Sequence, residues 1–143
     1  MEVDERLGTF GTVLMMCGNF GLAGNAGECA RTLRTLHRIT QPDARVILDS
    51  EDPYVDNDPA DLAYLERNRA AGRMPGQVTI RLRHQERVTP WFDLLIVSPS
   101  QLAALAEQSG WRVAHVVAGD PPDYYAVLEK AVPSAAPPVS CGA

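Results

Sequence analysis

The chain has 143 residues, 45% of them hydrophobic and 22% charged, an ordinary globular composition that suits one domain or one layered half of a larger one. Thirteen basic against eighteen acidic residues leave a net charge of -5, and the basic ones are scattered arginines with a single lysine, Lys130. That distribution argues against nucleic acid as a partner, because phosphate-backbone binding runs on clustered Lys and Arg. Cys17, Cys29 and Cys141 are odd in number and lack a CxxC spacing. They fit neither a disulfide framework nor a zinc site, so no metal and a reduced, cytoplasmic setting are expected. The stretch from Met1 to Leu7 has no basic segment followed by an apolar run, so no signal peptide is expected. No apolar stretch approaches the roughly 20 residues of a membrane span.

Phe10 to Cys17 (FGTVLMMC) is a nearly continuous apolar run, which predicts a strand buried on both faces with Cys17 as a packed thiol at its end. Gly18 to Gly24 is a glycine-rich turn. From Ala26 to Thr40, apolar residues at Ala26, Cys29, Ala30, Leu33, Leu36 and Ile39 follow helical spacing, with Arg31, Arg34 and Arg38 opposite. Pro42 is expected to end that helix. Ala44 to Asp49 (ARVILD) reads as a second buried strand, parallel to the first across a βαβ crossover.

Glu51 to Pro59 is acidic and proline-punctuated, hence a loop. A short helix is expected over Asp61 to Ala71. Val78 to Leu82 alternates as a strand, and Trp91 to Val97 pairs with it antiparallel. Ser98, Pro99 and Gln101 make a capping-box helix start, with Leu102, Leu105 and Ala106 as its apolar stripe and Gly110 as its stop. Trp111 to Val117 and Tyr124 to Glu129 are the last strands, separated by a Pro121-Pro122 turn. Residues 1–130 form the expected domain, and the proline-rich, uncharged stretch 131–143 reads as a disordered tail.

Four stretches carry a family resemblance: TVLMMCGNFGL (Thr12 to Leu22), LRTLHRITQPDARVILD (Leu33 to Asp49), LLIVSPSQLAALAEQSGWRV (Leu94 to Val113) and YYAVLEK (Tyr124 to Lys130). In this order they resemble the fourth to seventh strands of the class I S-adenosylmethionine-dependent methyltransferases. Asp52 to Asp93 is similar to an insert in one bacterial and archaeal branch of small-molecule-type members. The resemblance implies an α/β fold, half of a Rossmann-like methyltransferase sheet with an inserted antiparallel pair and flanking helices. The family grips its cofactor mainly with its first half, through an acidic residue and glycine turn after the first strand and a second acidic residue after the next. Nothing before Phe10 matches these, and the Phe-Asp that often opens the fourth strand is Phe10-Gly11 here.

The resemblance therefore implies the substrate-side half of a methyltransferase, with S-adenosylmethionine bound only once a complementary half is supplied. Met16, Cys17, Gly18 and Asn19 would flank the cofactor's methionine end, and Asn19 and Asp49 are the catalytic candidates. Phe20, Glu51, Tyr54 and Trp91 are the expected contacts for a small-molecule substrate. Read from the residues alone, Gly18 to Gly24 spaces its glycines G-x-x-G-x-x-G, not the G-x-G-x-x-G of a dinucleotide fingerprint, although Asp43 and Asp49 lie near the distance of the acidic partner. A tight turn is the plainer reading. Asp49 to Asp52, with Asp56, Asp58 and Asp61, offers a general base or a hard-metal site, against the plainer reading of a solvated acidic loop. His37, His84 and His115 are isolated in sequence and read as structural or surface residues.

Without a first strand beside it, Phe10 to Cys17 becomes an uncharged apolar edge, an association hazard that must be covered. A homodimer, or a separate chain supplying the N-terminal half, would cover it. Two other uses stay open: a non-catalytic or repurposed relative that binds a small molecule or a protein, and a module whose strand edge is an interaction surface.

Overall fold

A computed structural model describes residues 8–55 and 58–131. The expectations for Met1 to Leu7, for Asp56 and for residues 132–143, Cys141 among them, lie outside the described residues. β1 (Phe10–Met15) leads through a 3-10 turn (Asn19–Ala23) into α1 (Ala26–Ile39) and β2 (Thr40–Glu51). An insert follows, with α2 (Pro59–Ala70), β3 (Gln77–Ile80), the two-residue strands β4 (Arg83–His84) and β5 (Arg87–Val88), and β6 (Phe92–Leu95). α3 (Pro99–Glu107), β7 (Trp111–Ala118) and β8 (Asp123–Lys130) complete it.

The main sheet has the order β1-β2-β8-β7. β1 and β2 are parallel, as a βαβ unit requires, and β8 runs antiparallel to both β2 and β7. The expected pair in the insert is β3 with β6, antiparallel, and β4–β5 adds a small hairpin beside it.

One face of the sheet carries the core. Val46 and Leu48 of β2 and Tyr124, Ala126 and Leu128 of β8 pack with Leu33 and Leu36 of α1 and with Leu102 and Leu105 of α3. Trp111 is wholly buried there, and its indole N–H donates to the Leu33 carbonyl at 2.9 Å. Two local signals act as expected: Ser98 and Gln101 close a reciprocal capping box at the start of α3, and Gly110 turns the chain with φ of 82° after it.

Two expectations need correction. β1 is not buried on both faces. Only Met15 is buried, and Leu14 is 65% exposed, because β1 is the sheet edge and no described element covers its other face. Nor does Pro42 end α1. The helix stops at Ile39 and Pro42 lies within β2. The register explains how: Phe10 pairs with Thr40 but Thr12 pairs with Arg45, so residues 41–44 bulge out of the ladder. A proline is harmless where no ladder N–H is needed. The end of α1 is instead held by Lys130, whose ammonium donates to the carbonyls of His37 and Thr40 at 2.7 Å each.

Candidate functional site

At the carboxyl end of β1 the chain reverses through Cys17 and Gly18, both left-handed, with φ of 60° and 71°. A non-glycine residue pays for that conformation, and the compensation is Asp49 at the end of β2. One carboxylate oxygen accepts the Cys17 N–H and the other the Gly18 N–H, at 2.8 Å each. The following 3-10 turn presses on the insert: a Cβ at Gly21 would lie 2.5 Å from the Leu95 carbonyl oxygen.

These contacts frame a crevice of about 230 Å³ lined by Cys17, Gly18, Asp49, Glu51, Asp123 and Tyr125, with Leu94 to Ile96 as its wall. A second cavity of about 390 Å³ adjoins it through Glu51 and Ile96, and is lined by Asp52, Asp61, Tyr64, Leu65 and Val78 on the insert side. Both lie beyond the carboxyl ends of the parallel strands, where open α/β sheets bind ligands. Ser50 and Tyr124 fix the floor: the Ser50 hydroxyl accepts the Val97 N–H, and the Tyr124 hydroxyl donates to the Val97 carbonyl at 2.7 Å. Burial pushes the Tyr124 phenol well above its ordinary range, so it stays a hydrogen-bond donor.

Of the expected site residues, the structure brings Cys17, Gly18, Asp49 and Glu51 together. Cys17 is exposed at the crevice and is not the packed thiol expected from the apolar run. Cys29 is the packed one; burial, helped by the Glu28 charge, pushes its thiol up to about 12. Asn19 faces away from the crevice, into an apolar groove between β1 and α1 with Val13, Leu36 and Ile39. Met16 is half-buried and lines neither crevice cavity. Phe20 is 1% exposed and belongs to the core, so it has no surface to offer a substrate. Tyr54 is tied to α3, its hydroxyl accepting from Gln101 Nε2 at 3.0 Å. Trp91 is 62% exposed and stacks on Arg81, and it lines neither cavity.

Sequence reasoning missed Asp123 and Tyr125, which reach the crevice only because β8 pairs with β2 and sets Tyr125 beside Asp49. Among the described residues, no three His, Cys, Asp or Glu side chains are grouped to hold a metal ion, and no helix is long and apolar enough to cross a membrane.

S-adenosylmethionine carries both a cationic sulfonium and an amino-acid carboxylate, and a site for it must match both; the crevice matches only the first. Its charged lining residues are the carboxylates Asp49, Glu51 and Asp123, with no Lys or Arg among them. The Cys17 and Gly18 N–H groups already serve Asp49. This lining suits a cationic group but offers no cationic donor to the carboxylate of an amino-acid cofactor, so the chain as described does not fit the whole cofactor.

The strand order, the parallel β1–β2 pair and the crevice at their carboxyl ends define the class I S-adenosylmethionine-dependent methyltransferase fold, in part. Several solved structures similar to it are SAM-dependent methyltransferases. A SAM-dependent methyltransferase from Bacteroides fragilis, in complex with S-adenosyl-L-homocysteine, superimposes with a TM-score of 0.69 at 24% identity, over 90% of this chain but 52% of that one. The CcbJ methyltransferase from Streptomyces caelestis gives 0.61 at 10% identity, covering 92% of this chain and 64% of its own. A Methanosarcina mazei SAM-dependent methyltransferase gives 0.61 at 12% identity, covering 85% and 59%. The chain thus spans only about half to two thirds of the length of these structures. No protein-family model and no curated protein matches the sequence.

Proposed function

We propose that this chain is the substrate-side half of a small-molecule S-adenosylmethionine-dependent methyltransferase, completed by a partner unit or by self-association along Phe10 to Cys17. The observation that carries this reading is the crevice beyond β1 and β2 in a sheet that matches about half of a methyltransferase bound to S-adenosyl-L-homocysteine. Methyl transfer is an in-line displacement, so a protein contributes mainly by holding donor and acceptor in line. The cofactor, when bound, supplies the methyl group. In this reading Cys17 and Gly18 form the floor on the cofactor side, and Glu51, shared by both cavities, faces the substrate. The insert from α2 to β6 walls the substrate side.

Asp49 favours a second reading, a relative that binds a small molecule or a protein without transferring a methyl group. The catalytic candidate at the crevice floor spends both oxygens on backbone N–H groups. Asp49 is therefore a positioning residue in either reading, and Glu51 and Asp123 are the carboxylates left to meet a substrate.

Calorimetric titration of the pure chain with S-adenosylmethionine, with its mass in solution recorded, tests the proposal. No binding by the chain alone is expected, and binding once the complementary unit is present. Tight binding by the chain alone would overturn the claim that the gripping half lies elsewhere. An assembled complex that binds the cofactor yet transfers no methyl group would favour the second reading.

A further inference from the structure

The larger cavity beside the crevice, of about 390 Å³, has a lining of two chemistries. Leu65, Val78, Ile96 and Pro122 give it apolar walls. Glu51, Asp52 and Asp61 give it carboxylates, and no Lys or Arg lies among its lining residues. Its size is that of a small-molecule site. Glu51 also lines the crevice, so the two spaces meet there, with Asp123 on the crevice side.

The negative charge at this junction is uncompensated. Glu51 stands directly opposite Asp123 in the β2–β8 ladder, and like charges placed opposite each other destabilise a strand pair. No ion pair joins Glu51, Asp61 or Asp123 to a basic side chain among the described residues. The arginines of the insert are engaged elsewhere. Arg69 pairs with Glu66, and Arg73 with Asp93 at 3.2 Å. Arg67 lies over the Tyr64 ring and Arg81 over the Trp91 ring, each at 4.7 Å. Arg83 and Arg87 belong to the β4–β5 hairpin and line neither cavity. A ligand that brings its own positive charge would relieve the repulsion between Glu51 and Asp123.

We infer that the cavity binds a small amphiphilic amine, with its ammonium at Glu51 and Asp123 and its apolar body against Leu65, Val78 and Ile96. This deepens the proposed function and rests on it for the fate of the nitrogen, but not for its binding. The two parts of the lining call for two parts of one ligand. A hydrated metal ion would meet the carboxylates and leave the apolar walls without an occupant, and among the described residues no three acidic, His or Cys side chains are grouped to hold one. A purely apolar ligand would bury carboxylates without a partner, which costs free energy. The amine satisfies both, and its nitrogen then lies where the cavity opens into the crevice, whose lining includes Cys17 and Gly18.

The test is titration of the full chain with 2-phenylethylamine, followed by backbone amide shifts, beside its neutral isostere 2-phenylethanol and the anion 3-phenylpropanoate. The amine is expected to shift the Glu51, Leu65, Val78 and Ile96 amides saturably, with a dissociation constant of about 1 mM or lower. The alcohol should bind roughly tenfold more weakly, the loss of one charge-assisted contact, and the anion should not bind. Glu51→Gln and Asp123→Asn should each weaken the amine at least fivefold. Neither should lower the midpoint of urea unfolding, because each removes the repulsion across β2 and β8. Equal affinity for amine and alcohol would overturn the inference. So would unchanged affinity in either variant, saturable shifts confined to other residues, displacement of the amine by an equal concentration of calcium, or no saturable shift up to about 10 mM amine. The methyltransferase reading fails separately: an assembled complex that binds the amine and S-adenosylmethionine yet methylates no amine would sink that reading and leave the amine site standing. A complex that methylates another acceptor, built on a chain that fails the amine titration, would sink the amine site alone.

Discussion

The carboxylate of Asp49 holds the backbone N–H of Cys17 at 2.8 Å and so fixes a left-handed residue at the lip of the crevice. A second hydrogen bond from Gly18 uses its other oxygen. Hydrogen bonds to a charged group contribute about 1.5–3 kcal/mol each when protected, and less at an exposed site. Asp49→Ala should therefore lower stability by about 2 kcal/mol, and Asp49→Asn, which keeps one acceptor, by roughly half of that. The midpoint of urea unfolding measures it. A base with no structural duty would instead leave the midpoint unmoved.

Gly21 sets the distance between the 3-10 turn and the insert. An added Cβ would meet the Leu95 carbonyl at 2.5 Å and Leu94 Cδ1 at 3.1 Å, and the backbone oxygen cannot swing aside as a side chain tip can. Overpacking of this kind costs about 1–3 kcal/mol. Gly21→Ala should lower the melting temperature by several degrees and alter the crevice, a change visible as altered amide shifts at Cys17 and Gly18.

His37 lies edge-on to Trp111, with ring centroids 5.5 Å apart. Burial first, and the nearby Lys130 charge second, lower its pKa. The unfolded chain takes up this proton near the ordinary value of about 6.5, and the folded chain only at lower pH. The group therefore costs nothing above that value, and stability falls as the pH drops from there toward the folded pKa. His37→Phe keeps a ring against Trp111 and removes the titration. The difference in urea midpoint between about pH 7.5 and about pH 5 should shrink in the variant; an unchanged difference would assign the acid sensitivity to other groups.

Leu14→Arg addresses the free edge. The side chain supports nothing inside the isolated chain, so its stability should change by no more than about 0.5 kcal/mol. Binding of an apolar dye and concentration-dependent association, read by sedimentation, should both decrease. A large loss of stability would mean that Leu14 is covered in solution even without a partner.

What could be read from the sequence was local. The capping box of Ser98 and Gln101 is complete within four residues, and α1 shows its apolar stripe from Cys29 to Ile39. What could not be read depends on pairing between distant segments. Asp49 and Cys17 are 32 residues apart, and nothing near either signals that one caps the other. Phe20 lies within a glycine turn at the crevice end of the sheet, yet its ring fills the core because the 3-10 turn folds it inward. The Arg83–Val88 hairpin carries no turn signature in the sequence, because its turn places Gln85 at φ of 54°, a conformation usually marked by glycine or asparagine. Pro42 misled because the rule that stops a helix takes no account of a bulge in the strand that follows.

The one-sided core has a consequence for the order of events. The buried cluster is drawn from α1, α3, β2, β7 and β8, with Phe20 from the 3-10 turn, Leu95 and Val97 from the insert's end, and only Met15 from β1. Collapse onto that face does not require the free edge or the other face of the sheet to be covered. Folding should then be a first-order process, complete before assembly and independent of protein concentration. Where the proposed partner unit is a separate chain, its docking should follow as a slower, second-order step whose rate scales with the partner, and mixing experiments can time the two apart.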